Sequence, residues 1–174
     1  PPYKTWIDGS FSANQLKKVR IEDLLQRNKI ELDNTNILGS VEGKSVLVTG
    51  AAGSIGSEIA RQLSYYGVKN LILVDHAESP LYDIEQELLE KSKTNNTVRP
   101  LCEVANVKDK YRMNGIFEQY QPDLVFHAAA YKHVPIIEKA PYEGIFVNVM
   151  GTRIVADLAL KHGAEKFVMV STDK

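Results

Sequence analysis

The sequence predicts an α/β fold: a Rossmann-like, doubly wound parallel sheet of five strands in the order 3-2-1-4-5, preceded by an N-terminal arm. Two observations carry the prediction. From residue 44 to residue 174, short apolar runs rich in Val, Ile and Leu alternate with stretches whose apolar residues recur at helical spacing, the rhythm of strands covered on both faces by crossover helices. Between the first run and the first helix stands Val-Leu-Val-Thr-Gly-Ala-Ala-Gly-Ser-Ile-Gly at 46–56, which puts three glycines into a strand-to-helix turn.

Taken in order, residues 1–43 lack that alternation and read as an arm or linker. Residues 1–12 are expected to be extended, with Trp6 and Phe11 as packing anchors; 21–27 suit a short amphipathic helix, and 33–43 carry the Asp, Asn, Gly and Ser of a connecting loop. The first strand is predicted at 45–49. Its helix starts near Ser54, sets Ile55, Ile59, Ala60 and Leu63 on one face, and stops at Gly67. Residues 70–74 form the second strand, finishing at Asp75. Ser79 as N-cap and Pro80 at the first helical position announce a helix with Leu81, Ile84 and Leu88 inward. A polar turn at 91–96 leads to a third strand at 97–104. Met113, Ile116, Phe117 and Tyr120 mark a helix over 111–120, and 124–127 is the fourth strand. A loop at 128–141 precedes one long helix, 142–162, with Ile145, Val149, Ala156 and Ala159 inward. A fifth strand follows at 167–171.

With 174 residues, 44% apolar and 25% charged, the chain suits one domain with a sizeable core. The formal charge of −1 and the lack of a basic stripe with interleaved aromatics argue against a nucleic-acid partner. The lone Cys102 has no internal disulfide partner and sits in an apolar run, which fits a buried thiol in a reducing, cytoplasmic setting. No run reaches the roughly 18–20 apolar residues of a membrane span, so this piece is expected not to be membrane-inserted. The opening Pro-Pro and the halt at Lys174, directly after a strand, read as a piece of a longer chain.

In a doubly wound sheet the ligand lies beyond the carboxyl ends of the strands, where strand order reverses. Candidate site residues are therefore those just after strands. Gly50 permits the tight turn, Gly53 close approach to a pyrophosphate and Gly56 close packing of helix on sheet, while the amides opening the helix at Ser54, Ile55 and Gly56 suit the phosphates. Asp75 lies 25 residues after Gly50, the place of an acid that accepts hydrogen bonds from an adenosine ribose. A carboxylate there repels a 2'-phosphate, so NAD is expected over NADP, with NADP as the alternative. His76 follows on the adenine side, Asn106 and Val107 follow the third strand, and Ala128, Ala129 and Ala130 are small where a nicotinamide ribose must come close. No His, Cys or carboxylate cluster has metal-ligand spacing. His127 reads as a satisfied strand-end histidine.

The Gly-x-x-Gly-x-x-Gly spacing after Thr49 resembles the extended short-chain dehydrogenase/reductase superfamily. His-Ala-Ala-Ala-Tyr-Lys-His-Val-Pro at 127–135, Asn-Val-Met-Gly-Thr at 148–152 and Ser-Thr-Asp-Lys at 171–174 make the resemblance specific: 44–174 is similar to the CapD-like polysaccharide-biosynthesis proteins, nucleotide-sugar 4,6-dehydratases and epimerases acting on UDP-N-acetylglucosamine. The resemblance implies hydride removal from C4 of a UDP-sugar, loss of water across C5 and C6, and return of hydride to C6. It implies Lys174 as base, Asp173 as acid and Thr172 as a hydroxyl steadying the sugar; Lys132 on the nicotinamide ribose or a phosphate; His133 on the sugar nucleotide; and Asn148 and Ser171 beside the cofactor. Where the superfamily usually has an Asp on the adenine amino group, this chain has Asn106. Long members of the family carry membrane-spanning segments upstream, so the full-length protein is expected at the cytoplasmic face of the membrane, with a homo-oligomer as a further expectation. The superfamily's Tyr-x-x-x-Lys and the substrate lobe would lie beyond Lys174, so this stretch is expected to bind a dinucleotide without turning over sugar. Alternatives are a 4- or 5-epimerase, a non-catalytic dinucleotide-binding module, and an S-adenosylmethionine site, which gives no reason for the later motifs.

Overall fold

The computed structural model of the protein describes residues 34–94 and 97–171. The chain divides into units 1–33 and 34–174. The first unit, with the expectations for Trp6, Phe11 and 21–27, lies outside the described residues, as do Thr172, Asp173 and Lys174.

Helix α1 (Asn34–Val41) comes first, where the polar composition predicted a loop. The reason is tertiary: Ile37 and Val41, four apart, pack into the core, and Val41 is buried. Then follow β1 (Ser45–Thr49), α2 (Ser54–Leu63), β2 (Asn70–Asp75), α3 (Glu78–Thr94), β3 (Pro100–Val104), α4 (Lys110–Tyr120) and β4 (Leu124–His127). Two single-turn helices, α5 (Val134–Ile137) and α6 (Pro141–Gly144), precede a π-helical stretch at Ile145–Gly151, helix α7 (Thr152–Lys161) and β5 (Lys166–Met169). All strand pairs are parallel and the order is β3-β2-β1-β4-β5, as predicted.

Each strand supplies apolar side chains to both faces, because alternate residues point to opposite sides. Val46, Val48, Leu71 and Leu73 pack under α1, α2 and α3 with Ala60, Leu63, Leu81, Ile84 and Leu88. Leu47, Ile72, Val74 and Val125 pack under α4 and α7 with Met113, Ile116, Phe117, Val155 and Leu158. Burying one such aliphatic side chain contributes about 1.5–3 kcal/mol, so these two layers hold the strand ends that form the site.

Several boundaries differ from expectation, each for a local reason. Ser79 is not the N-cap of α3: the helix starts at Glu78, and the Ser79 hydroxyl donates to the Glu78 carboxylate. The helix also runs through the predicted polar turn to Thr94, and β3 begins only at Pro100 because Val98 N–H is taken by Ser64 O. Ile55 is exposed; the buried face of α2 is Gly56, Ser57, Ala60 and Leu63. The predicted long helix is continuous from Pro141 to Lys161, with the π-helical stretch between α6 and α7 inside it. Its inner face is Gly144, Val147, Gly151 and Val155, spaced three and four apart, so Ile145 and Val149 face outward instead. Its glycines let it press close: a Cβ on Gly151 would stand 2.7 Å from Val107 Cγ2. Strand β5 ends at Met169, two residues earlier than predicted.

Candidate dinucleotide cleft

Strand order reverses between β1 and β4, and the segments that leave these two strands meet there. Ala128 N–H donates to Thr49 O (3.0 Å), and a Cβ on Gly50 would stand 2.6 Å from both Ala128 C and Ala129 N. Gly50 also has φ +67°, which a side chain resists. The turn is closed by Gly53 N–H donating to Gly50 O (3.0 Å) and Ala51 N–H donating to Val74 O (3.2 Å). Gly56 enters the helix hard against it: a Cβ there would lie 2.1 Å from Gly50 O. Gly53 differs from both. It is exposed, its φ of −75° suits any residue, and a Cβ would meet only Gly50 O, at 3.2 Å.

Gly53 is the N-cap of α2 and supplies no side-chain cap. The amides of Ala51, Ala52 and Gly53 are engaged within the turn, so the donors aimed outward are those of the first helical turn, Ser54 and Ile55. Both residues are exposed.

Across the turn stands Asp75 at the end of β2, 8% exposed. Its Oδ2 accepts from Ala52 N–H (3.0 Å) and its Oδ1 from Ala77 N–H (2.9 Å), while His76 Nδ1 is 3.3 Å from Oδ1. The acid is thus both a strut for the glycine turn and a carboxylate at the cleft wall. The exposed His76 ring also stands edge-on to Tyr131, with centroids 6.1 Å apart.

Together these segments enclose an open cleft of about 250 Å³. Its walls include Gly50, Gly53, Asp75, His76, Asn106, Val107 and the three alanines 128–130, with Tyr131 beside them; Ala77, Pro80 and Val147 also line it and were not foreseen. The interior is mostly apolar with a few directed polar groups, the make-up of a small-molecule site. The exposed Gly53, with no side chain to stand in the way, beside the uncapped amides that open α2, fits the approach of a diphosphate. Asn106 is less like an acid than its position suggests. Its side-chain carbonyl accepts from Lys108 N–H (3.1 Å), which turns the amide NH2 the other way.

Seven predicted residues lie outside the lining of this cleft: Ser54, Ile55 and Gly56 at the start of α2, and Lys132, His133, Asn148 and Ser171. Asn148, on the π-helical stretch, pairs its amide with the Tyr131 backbone, Oδ1 accepting from N–H and Nδ2 donating to the carbonyl, both at 2.8 Å. It pins the loop after β4. Lys132 and His133 are exposed just past that loop, with His133 preceding α5. Ser171 is exposed beyond β5.

His127 is buried at 2% exposure, with Thr49 Oγ1 2.7 Å from Nδ1 and Thr152 Oγ1 2.9 Å from Nε2. Burial pushes its pKa down to about 4. The Cys102 thiol is half-buried and pushed up to about 12, by burial and then by nearby Glu85, so it is no nucleophile at neutral pH. Among the described residues no helix is long and apolar enough to cross a membrane, and no group of His, Cys, Asp and Glu is placed to hold a metal ion.

Residues 46–174 match the family described as "Polysaccharide biosynthesis protein". Over the whole chain the sequence is 44% identical to the capsular polysaccharide biosynthesis protein CapD of Staphylococcus aureus, spanning 29% of that protein. It is 33% identical over 132 residues to a UDP-N-acetylglucosamine 4,6-dehydratase (inverting) of Campylobacter jejuni, covering 76% of this chain and 37% of that one. Among solved structures, UDP-glucose-4-epimerase from Stenotrophomonas maltophila, with bound NAD and formylated UDP-arabinopyranose, superposes with a TM-score of 0.65 at 26% identity. That match covers 75% of this chain and 37% of the epimerase.

Proposed function

The chain belongs to the polysaccharide biosynthesis protein family, and on that premise we propose that it is the dinucleotide-binding part of a UDP-sugar 4,6-dehydratase serving capsular or other surface-polysaccharide synthesis. The observation that carries the proposal is the exposed, uncapped start of α2 at Gly53, beside the Asp75 carboxylate on the wall of the cleft at the β1–β4 reversal. The first-turn amides of α2 hold the diphosphate of a nicotinamide dinucleotide. Asp75 accepts from the adenosine ribose hydroxyls with lone pairs left over from Ala52 and Ala77, and its charge disfavours a 2'-phosphate, so the cofactor is NAD. Asn106 and Val107 take the adenine. The alanines at 128–130 let the nicotinamide half approach the backbone, on a loop that Asn148 holds in place.

A nicotinamide bound there supplies a hydride acceptor and, after dehydration, a hydride donor. The chain's own acid and base, by their match to the family pattern, are Asp173 and Lys174, with Thr172 on the sugar; all three follow β5 in sequence. A basic Lys174 has to be neutral, while an adjacent carboxylate favours its charged form. Burial under substrate and cofactor opposes that neighbour and returns the amine to service. Lys132 contacts the nicotinamide ribose or a phosphate, and His133 the sugar nucleotide.

An epimerase is the second reading, favoured by the superposition on an NAD-bound 4-epimerase. Because the chain spans 29–37% of the length of the relatives compared, turnover belongs to a longer protein. Calorimetry on the 174-residue chain is expected to give tighter binding of NAD than of NADP and no dehydration of UDP-N-acetylglucosamine. A folded chain that binds neither dinucleotide defeats the proposal. NMR analysis of the product of a longer chain separates dehydratase from epimerase.

A further inference from the structure

We propose that His127 is a positioning residue: fixed as one tautomer, its ring joins the glycine turn to the loop that forms the opposite wall of the cleft. What the cleft holds rests on the dinucleotide reading above; the joint itself does not.

The direction of every hydrogen bond follows from counting protons. Thr152 Oγ1 lies 2.7 Å from Asn148 O, a carbonyl that only accepts, so the single Thr152 hydroxyl proton points there. Thr152 Oγ1 must then accept from His127 Nε2, 2.9 Å away, which therefore carries the ring proton. A buried ring held neutral has no second proton. Nδ1 is thus bare and accepts from the Thr49 hydroxyl at 2.7 Å. The chain runs one way: Thr49 to His127 to Thr152 to the Asn148 carbonyl.

Its two ends are the two walls. Thr49 and His127 are paired across β1 and β4, and Thr49 immediately precedes Gly50. At the other end Asn148 clamps both backbone polar groups of Tyr131, a residue of the cleft lining. The ring is further held by stacking on Phe167 at 5.8 Å. A strand-end histidine that only filled space would need neither hydroxyl. Here the imidazole accepts from Thr49 on one side and donates to Thr152 on the other, so its tautomer sets where the π-helical stretch, and with it Tyr131, stands.

Two substitutions divide the ring. His127→Gln places an amide donor where Nε2 was and keeps the bond to Thr152; His127→Asn places a carbonyl where Nδ1 was and keeps only the bond to Thr49. Each removes one internal hydrogen bond, and the shorter Asn also leaves a void beside Phe167, so thermal stability should fall in both and further in His127→Asn. The Tyr131 amide should exchange with solvent about tenfold faster in His127→Asn and near the unsubstituted rate in His127→Gln, tenfold being about one net hydrogen bond. NAD affinity should follow the same split. In the unsubstituted chain, nitrogen-15 NMR should find the His127 proton on Nε2. Thr152→Val against Thr152→Ser repeats the comparison from the other side of the ring, should His127→Asn fail to fold. A proton on Nδ1, or Tyr131 exchange that rises equally in both members of a pair, overturns the inference. Loss of NAD binding by the unsubstituted chain would instead defeat the proposed function, leaving the tautomer and the Tyr131 exchange to decide the role of His127.

Discussion

The three glycines of the turn make separable predictions, because an added Cβ meets something different at each. At Gly56 it would stand 2.1 Å from Gly50 O and 2.7 Å from Gly50 C, more than 1 Å inside contact distance and against backbone that has nowhere to go. At Gly50 it would strike Ala128 and Ala129 backbone at 2.6 Å in a φ of +67°, adding about 1–2 kcal/mol of left-handed strain to the overlap. Overpacking alone costs about 1–3 kcal/mol in side-chain cores that can shift, and more where the neighbour is main chain. Gly50→Ala and Gly56→Ala should therefore each lose at least about 3 kcal/mol of unfolding free energy.

Gly53→Ala belongs to another class. Its backbone is already in a region open to every residue, and its one close atom, Gly50 O at 3.2 Å, needs to give by only a few tenths of an ångström. A Gly→Ala change at a compatible site can even gain about 0.4–1 kcal/mol from the unfolded state. The methyl would instead stand where the diphosphate approaches. Urea unfolding should place Gly53→Ala within about 1 kcal/mol of the parent, while calorimetry finds NAD binding weakened at least about tenfold, the equivalent of 1.4 kcal/mol. Undiminished NAD binding by a stable Gly53→Ala would refute the placement of the diphosphate, and a stable Gly56→Ala would refute the packing argument.

Asp75→Ala removes the acceptor of two amides, Ala52 and Ala77, so it should cost about 2 kcal/mol in unfolding and also narrow the NAD over NADP preference measured by calorimetry. Asn106→Asp keeps the bond from Lys108 N–H and replaces an outward NH2 by an acceptor, so NAD should bind a few times more tightly while the hypoxanthine analogue, which lacks the adenine amino group, gains nothing. His127, at about pKa 4 folded against 6.5 unfolded, holds fewer protons in the native chain between those values. Stability should thus decline as pH falls from 6.5 to 4 and level off below, about 3 kcal/mol in all, and the difference between the chain and His127→Gln in urea titrations across that window isolates the effect.

The strands and the turn were legible because their signals are local. A run such as Leu71–Val74 admits few structures other than a strand buried on both faces, and a glycine triplet between strand and helix constrains the backbone directly. What misled was anything decided by a distant neighbour. The polar segment that became α1 is helical because Ile37 and Val41 find the sheet, which nothing within the segment announces. The long helix was read with its large apolar residues inward; close packing against Ile137 and Val107 instead puts Gly144 and Gly151 on the inner face, and Ile145 and Val149 outward.

The same distinction governs the site. Gly53 and Asp75 can be found one at a time, since each has a chemistry that its position makes useful. The Thr49, His127 and Thr152 set cannot, because no one of the three is unusual alone and 78 residues separate the first from the second. Only the pairing of β1 with β4 brings them into one line, and only proton counting gives the line a direction. Substrate-contacting residues announce themselves by type and spacing, whereas the groups that aim them are chosen by the fold. That is why His127 reads only as a satisfied strand-end histidine from the sequence and as a joint between the two cleft walls once its neighbours are known.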